Sequence, residues 1–178
     1  TGVSSVVFLD RFTVAYPQVA SLSSGVFEGT WAASGTATVS GTAVALLDLG
    51  VEALVIHDTS ARRRDALAGK LCADFGERRA VAAGDLREEL LHATGIVNAT
   101  PVGMIDVPGV PFDASLLQAG QWVADIVYFP LETELLRIAA ARGCPALNGG
   151  GMVVHQAAAA FAIFTGLKAD AGRMMRSF

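Results

Sequence analysis

The sequence predicts an α/β protein built on a doubly wound parallel sheet in three layers. From about residue 42 onward, short apolar runs alternate with segments of helical periodicity, which is typical of parallel strands joined by crossover helices. Hydrophobic residues make up 52% of the 178 residues and charged residues only 17%, which excludes a disordered or acidic-tail protein. Because such crossovers are right-handed, we expect helices on both faces of the sheet.

Five short apolar runs predict the strands. Runs of this length, bounded by turn residues and poor in charge, are typical of strands that are buried on both faces. The predicted strands are residues 54–57, 80–83, 95–99, 122–127 and 146–147.

Start and stop signals predict the helices between these strands. Ser60 and Thr133 are the residue types that cap helix N-termini, and Gly50 and Gly166 are placed to end helices at their C-termini. The predicted helices end at Gly50, begin after Ser60, cover residues 86–92, begin after Thr133, cover residues 152–165 and cover residues 170–178.

The first 41 residues differ from the rest of the chain. Residues 1–41 are rich in Ser, Thr, Gly and Val and have no helical period. Residues 6–9 and 25–27 are candidate strands, and Tyr16-Pro17 is a turn signal. The sequence therefore divides into residues 1–41, to which it assigns no structure, and a domain at residues 42–178. The first part is either a degenerate start of that domain or foreign sequence.

Composition excludes several classes of partner. The net charge is −4 and the chain has only two lysines, Lys70 and Lys168, which argues against nucleic acid and anionic membranes. No apolar run reaches the length of about 18 residues that a membrane span needs, and the N-terminus does not resemble a signal peptide. Two cysteines without a C-x-x-C pattern favour a cytoplasmic protein. The mean hydropathy of +0.47 predicts apolar surface for a homo-oligomer or a partner domain.

Candidate functional residues follow four of the predicted strands. They are Asp58, the segment 98–104, Tyr128 and the segment 148–152, which continues to His155-Gln156. In doubly wound sheets ligands bind beyond the carboxyl ends of the strands. Each of these residues also has a purely structural interpretation, because aspartates and Thr-Pro pairs form turns and glycines serve backbone geometry.

Three motifs occur in this order in the chain: Asn98-Ala-Thr-Pro-Val-Gly-Met104, Asp125-Ile-Val-Tyr-Phe-Pro-Leu-Glu-Thr-Glu-Leu-Leu136 and Gly149-Gly-Gly-Met-Val-Val-His-Gln-Ala157. Taken together, they resemble the shikimate/quinate dehydrogenase family, most closely its actinobacterial quinate/shikimate branch. The resemblance covers residues 42–178. It implies a Rossmann-like cofactor-binding domain of an NAD(P)-dependent oxidoreductase acting on the ring hydroxyl or ketone of a small cyclic hydroxy acid, shikimate or quinate.

The resemblance also implies roles for individual residues. Asp58 would bind the adenosine ribose and favour NAD, whereas Arg62 or Arg63 would counteract its charge and make NADP possible. Gln156 would contact the hydroxy acid. The other residues that the resemblance places beside the cofactor are Asn98, Thr100, Pro101, Val127, Tyr128, Gly149 and Met152.

The sequence departs from the family at two places. No G-x-G-x-x-G motif is present. An ungapped register places Ser34-Gly-Thr-Ala-Thr-Val39 where the glycine-rich turn for the pyrophosphate belongs, whereas a two-residue gap would place Gly41 instead of Val39 at the last position of that turn. The family's catalytic Lys and Asp motifs are also missing, so we assign no catalytic residue and no metal ligand. Besides the dehydrogenase hypothesis, two alternatives remain: a degenerate, non-catalytic Rossmann binding module, and a different Rossmann enzyme.

Overall fold

The six strands of the structure form one parallel sheet. This computed structural model describes the backbone of residues 4–9 and 36–177, and side chains from residue 42 onward. The strand order is β3-β2-β1-β4-β5-β6, and every neighbouring pair is parallel. The strands are β1 (Ser4–Leu9), β2 (Ala53–Asp58), β3 (Ala80–Ala82), β4 (Gly95–Ala99), β5 (Trp122–Asp125) and β6 (Ala146–Leu147).

Helices cover both faces of this sheet, as predicted. One buried cluster joins α1 and α2 to Leu54 and Ile56 of β2. Another joins α3 and α4 to Val55 of the same strand, so consecutive side chains enter opposite cores. The three-layer α/β fold is therefore confirmed. The helices are α1 (Thr36–Asp48), α2 (Ala61–Phe75), α3 (Leu86–His92), α4 (Glu134–Ala141), α5 (Gly150–Thr165) and α6 (Ala171–Ser177), with a short 3₁₀ helix at Ala114–Leu116.

Local capping chemistry sets the helix boundaries where the sequence predicts them. The side chains of Ser60 and Thr133 accept hydrogen bonds from the Arg63 and Leu136 amides and so cap α2 and α4. Gly166 ends α5 with a φ of 70°, which favours glycine.

Two predicted boundaries shift by two residues. The strand predicted at 122–127 ends at Asp125, because the carboxylate of Asp125 accepts the hydrogen bond of the Val127 amide and draws the chain out of the ladder. The helix predicted to begin at Met152 begins at Gly150, whose amide is held by the Asn148 side chain.

The N-terminal segment contributes the centre of the sheet. Residues 6–9 lie in β1, which pairs with β2 on one side and β4 on the other, so the strand predicted there is confirmed. Residues 36–41 form the start of α1, and the sheet and α1 thus contain residues from both sides of the predicted division at residue 42. The strand predicted at 25–27 and the turn at Tyr16-Pro17 lie outside the described residues.

The C-terminal helices leave much apolar surface uncovered. In α5 only Gly150 and Val154 are buried, while Phe164 is 68% exposed and Ile163 is 66% exposed. None of the helices described in residues 36–177 is long and apolar enough to cross a membrane.

Candidate functional site

The candidate residues meet along one edge of the sheet. The register aligns Asp58 with Leu9, Leu9 with Ala99, and Asn98 with Asp125, so all these strands end together. Thr100 follows Ala99 directly, and Tyr128 lies three residues after Asp125, so the backbone of Asp58, Thr100 and Tyr128 lies on the side of the sheet where these strands end. We call this side, formed by the ends of β2, β4, β5 and β6 and the residues just after them, the carboxyl edge. Ligands of doubly wound folds bind at this edge.

Asp58, at the end of β2, forms a two-point ion pair with Arg63 of α2. The Arg63 Nη2 donates to Asp58 Oδ1 over 2.7 Å, and the Arg63 Nε donates to Oδ2 over 2.9 Å. The Ser60 amide also donates to Asp58 Oδ1, over 2.6 Å. The Asp58 side chain is 4% exposed and that of Arg63 is 40% exposed. Of the two arginines that the sequence offers, Arg63 contacts Asp58, whereas Arg62 is exposed to solvent.

Asn98, at the end of β4, organises the loop that follows it. Its Oδ1 accepts from the Thr100 amide over 3.0 Å and from the Thr100 hydroxyl over 2.7 Å. Its Nδ2 donates to Val102 O over 2.9 Å and to Asp125 Oδ1 over 3.0 Å. Two donors and two acceptor positions are all that an amide side chain offers. Asn98 is fully buried, so its side chain holds the loop while Thr100 (5% exposed) and half-buried Pro101 form it.

Asp125 connects this loop to the end of β5 and to α4. Its Oδ1 accepts from Asn98 and from the Val127 amide, and its Oδ2 accepts from the Thr133 hydroxyl over 2.7 Å. Asp125 is 2% exposed. Burial raises the pKa of its carboxyl above the ordinary value, while the bonds from Thr133, the Val127 amide and Asn98 act in the opposite direction.

The sequence did not identify Asp125 and Thr133 as members of one network. The available signal was an acid inside a predicted apolar strand, a place where a buried charge must find partners. The hydrogen bonds of Asp125 with Asn98, the Val127 amide and Thr133 therefore fix the loops after β4 and β5.

Gly149 fits closely against the end of β5. Its amide donates to Val127 O over 3.2 Å. A Cβ at position 149 would lie 2.3 Å from Ile126 O and 2.7 Å from Val127 O, closer than real Cβ contacts. Val127 is buried and Tyr128 half-buried. The glycine therefore brings the start of α5 up to the loop after β5.

The remaining candidates lie on α5. Met152, in the first turn, is half-buried, and Gln156, one turn further, is exposed. The structure thus brings Gly149 and Met152 to the carboxyl edge and presents Gln156 to solvent beyond it.

Substitution of Gly149 by Ala should lower the free energy of unfolding by about 1–3 kcal/mol, because the added methyl group meets fixed backbone rather than flexible side chains. Gly151→Ala is the matched control, since a Cβ there meets nothing closer than Met175 Cε at 3.9 Å. The free energy of unfolding of Gly151→Ala should rise by about 0.5–1 kcal/mol, because Ala has a higher helix propensity than Gly. Urea unfolding measures both, and equal effects of the two substitutions would contradict the close contact at Gly149.

Comparison with known proteins identifies the relatives of this fold and site. The family model described as "Shikimate 5'-dehydrogenase C-terminal domain" matches residues 149–177. A shikimate dehydrogenase (NADP(+)) of Streptomyces avermitilis is 51% identical over 133 residues, which are 74% of this chain and 46% of that protein. A quinate/shikimate dehydrogenase (NAD(+)) of Corynebacterium glutamicum is 45% identical over 139 residues, or 76% of this chain and 49% of that protein.

The matched part of this chain belongs to the shikimate/quinate dehydrogenase family. The resemblance predicted from the three motifs, including that to quinate/shikimate dehydrogenases of actinobacteria, is confirmed. A solved structure agrees: quinate dehydrogenase from Corynebacterium glutamicum in complex with NAD superposes with a TM-score of 0.77 and 34% identity, covering 100% of this chain and 55% of that one. The chain spans about half the length of the shikimate/quinate dehydrogenases it matches.

The carboxyl edge has charged groups near the end of β2. Asp58, at the end of that strand, and Arg63 of α2 are of the residue types that bind an adenosine ribose or its 2′-phosphate in dinucleotide-binding folds. Gly149 brings the start of α5 against the backbone of Ile126 and Val127, in the loop after β5. The segment predicted to face the pyrophosphate, Ser34–Val39, is described only from Thr36, where α1 begins.

Proposed function

We propose that this chain is the cofactor-binding part of an NAD(P)-dependent shikimate/quinate dehydrogenase. The observation that supports it best is the carboxyl edge, where Asp58, Thr100, Tyr128 and Gly149 come together in a family member. NAD(P), when bound, supplies the nicotinamide carbon that accepts or returns hydride. The ring hydroxyl or ketone of a cyclic hydroxy acid, shikimate or quinate, is the reacting group.

The residues of this chain contribute binding and orientation in this proposal. Asp58 and Arg63 hold the adenosine end. The loops fixed by Asn98 and Asp125 place Thr100, Pro101, Val127 and Tyr128 along the cofactor. In a preorganised site of this kind, rigid surroundings reduce the entropy that binding costs.

Two residues of α5 complete the proposed site. Met152, which is half-buried, would contact the nicotinamide, and Gln156, which is exposed, would contact the hydroxy acid. Arg62, one position from Arg63 and exposed, is a second cation for the adenosine end.

The exposed apolar surface of α5 and the two free cysteines also bear on the partners and the compartment of the chain. The exposed apolar side chains of α5, among them Phe164, are suited to a second copy of the chain or to a partner domain. Cys72 and Cys144 are both free thiols, which supports a cytoplasmic location.

Calorimetric titration with NADH tests the proposal against the alternative of a degenerate, non-catalytic Rossmann module. The lack of a G-x-G-x-x-G motif favours that alternative. Saturable binding with a dissociation constant near micromolar supports a working cofactor site, for which about −8 kcal/mol of binding free energy is needed. Binding weaker than about millimolar, or about −4 kcal/mol, supports the degenerate module.

A further inference from the structure

The C-terminal helices expose a cluster of large apolar side chains. Phe164 is 68% exposed, Ile163 66%, Leu167 63% and Phe161 44%. A large apolar residue has roughly 200 Å² of accessible surface, so these four side chains expose about 500 Å². The largest apolar patch of a typical monomer is about 300–600 Å² and often marks a binding surface. The cluster is therefore large enough to belong to an interface.

Three of these side chains share one broad side of α5. Residues three or four apart face the same way on a helix, so Phe161 and Phe164 continue the stripe that Ala157 begins. Ile163 widens this stripe, since successive residues point about 100° apart. We call the surface formed by Ala157, Phe161, Ile163 and Phe164 the α5 face.

The helix α6 packs against a different side of α5. Met175 Cε lies 3.9 Å from the position that a Cβ of Gly151 would take. Phe164, thirteen residues after Gly151, points about 140° away from it around the helix. The buried residues of α5, Gly150 and Val154, lie in its first two turns. Within the described residues, neither α6 nor the sheet covers the α5 face.

The helix α5 also lacks the charges that keep a surface helix in solvent. Its 16 residues, Gly150–Thr165, include no Asp, Glu, Lys or Arg. A helix that faces solvent normally has charged residues on its outer side. The charged residues of the C-terminal segment come after α5, where all are exposed: Lys168, Asp170, Arg173 and Arg176. They therefore border the α5 face rather than interrupt it.

The exposed area is close to what a stable dimer needs. Burial of the four large side chains on two copies would remove about 1,000 Å² from solvent. Specific interfaces bury about 1,200–2,000 Å² in total, and Ala157 and Ala160, which lie among these side chains on α5, contribute to the difference.

We propose that the α5 face binds the same face of a second copy of this chain, so that two α5–α6 hairpins pack about a two-fold axis as a four-helix bundle. A two-fold interface brings a surface against itself, and an uncharged face does so without like-charge repulsion. Because the face has no charge, it offers a foreign partner no electrostatic complementarity. The inference refines the partner in the proposed function and does not depend on cofactor binding. The NADH titration therefore tests the cofactor site, and the mass of the chain in solution tests the pairing.

Sedimentation equilibrium of the 178-residue chain between about 1 and 100 μM measures the pairing. The wild type should reach twice its chain mass of 18.4 kDa, with a dissociation constant of about 10 μM or tighter. Phe164→Glu should raise this constant by about 100-fold or more, because a charge from each copy then enters the apolar interface. Phe161→Ala, which adds no charge, should raise it by about tenfold, as for a truncated aromatic at an interface.

Leu49→Glu is the matched control. Leu49 is 83% exposed and lies between α1 and β2, at the end of the sheet opposite the carboxyl edge. This variant adds the same charge as Phe164→Glu but should change the dissociation constant by less than about threefold. Since Phe164 is exposed in the single chain, circular dichroism of Phe164→Glu should match that of the wild type. If Phe164→Glu fails to fold, Phe161→Ala alone tests the α5 face.

Three results would overturn the proposed pairing. The first is a mass of 18.4 kDa throughout the concentration range, which would leave the α5 face to another occupant, such as the half of its relatives that this chain does not span. The second is a dimer that the α5 variants weaken no more than Leu49→Glu does. The third is growth beyond the dimer as concentration rises, because a two-fold pairing is closed.

Discussion

The purified 178-residue chain should show no measurable oxidation of shikimate or quinate with NAD or NADP. The reaction moves a proton as well as a hydride, and general acid–base catalysis is typically worth about 10²–10⁴-fold. The orientation of the substrate contributes at least as much. Absorbance at 340 nm in a steady-state assay, with a shikimate dehydrogenase from one of the relatives as positive control, measures the rate.

The two lysines of the sequence are poorly placed to supply the missing proton transfer. Lys70 is exposed on α2, nine residues after its first residue, and therefore about 13 Å along the helix from the carboxyl edge. Lys168 follows the end of α5 and is exposed. Turnover that disappears in a Gln156→Ala variant would contradict this expectation, because it would show that the chain carries an acid or base that catalyses the proton transfer.

Replacement of Asp125 by Ala should lower the free energy of unfolding by at least about 3 kcal/mol. The change leaves three buried donors without an acceptor, on Asn98, Val127 and Thr133, and each buried unsatisfied donor costs about 1–3 kcal/mol. This loss is a large part of the free energy of unfolding of a typical domain, which is roughly 5–15 kcal/mol. Thermal or urea unfolding measures the loss.

Asp113→Ala is the matched control, because Asp113 is an exposed aspartate that bonds the Ser115 amide at the surface. It should have a much smaller effect on unfolding. An effect of Asp125→Ala no larger than that of Asp113→Ala would contradict the network at the carboxyl edge.

The contribution of Asp125 to the free energy of unfolding should depend on pH with a defined sign. Burial raises the pKa of this carboxyl above its ordinary value of 3.8, so the folded chain holds the proton more tightly than the unfolded chain. The resulting stabilisation is fully present when the pH is below the ordinary pKa of the carboxyl, and it is lost as the pH rises through the pKa of the folded state. The unfolding free energy of the wild type minus that of Asp125→Asn should therefore fall as pH rises from about 4. A difference that grows with pH would contradict the raised pKa.

Local rules were sufficient for much of the fold. Helix ends follow from the capping chemistry of Ser60, Thr133 and Gly166, which depends on neighbours within about four residues. Buried strands follow from short apolar runs. The shared edge follows from parallel pairing, since all strands of such a sheet end on the same side.

Non-local contacts account for what the sequence did not show. The apolar residues of β1 indicate a strand, but its place between β2 and β4 depends on partners that are far away in sequence. Gly95 looked like an ordinary first residue of a strand. In the structure a Cβ there would overlap the indole ring of Trp122 on the neighbouring strand, so only glycine fits beneath that ring.

In the candidate site, too, local signals indicate where the residues lie, whereas non-local contacts decide what they do. Sequence spacing placed Asp58, Asn98 and Gly149 at or just after the ends of strands, but side-chain partners decide what each residue contributes. Asp58 pairs with Arg63, and Asn98 pairs with Asp125, 27 residues away. A pattern of residue types does not specify which neighbour satisfies a buried polar group.

An NMR titration of the ¹⁵N-labelled chain with NADH tests most directly whether the carboxyl edge is a dinucleotide site. We expect saturable shift changes of backbone amides at 58–63, 100–103, 127–128 and 149–152, whereas the amides at the opposite ends of the strands, such as Ala53 and Ala80, should remain unchanged. Shift changes centred on the opposite ends, or none up to about millimolar NADH, where binding would be worth only about −4 kcal/mol, would contradict it.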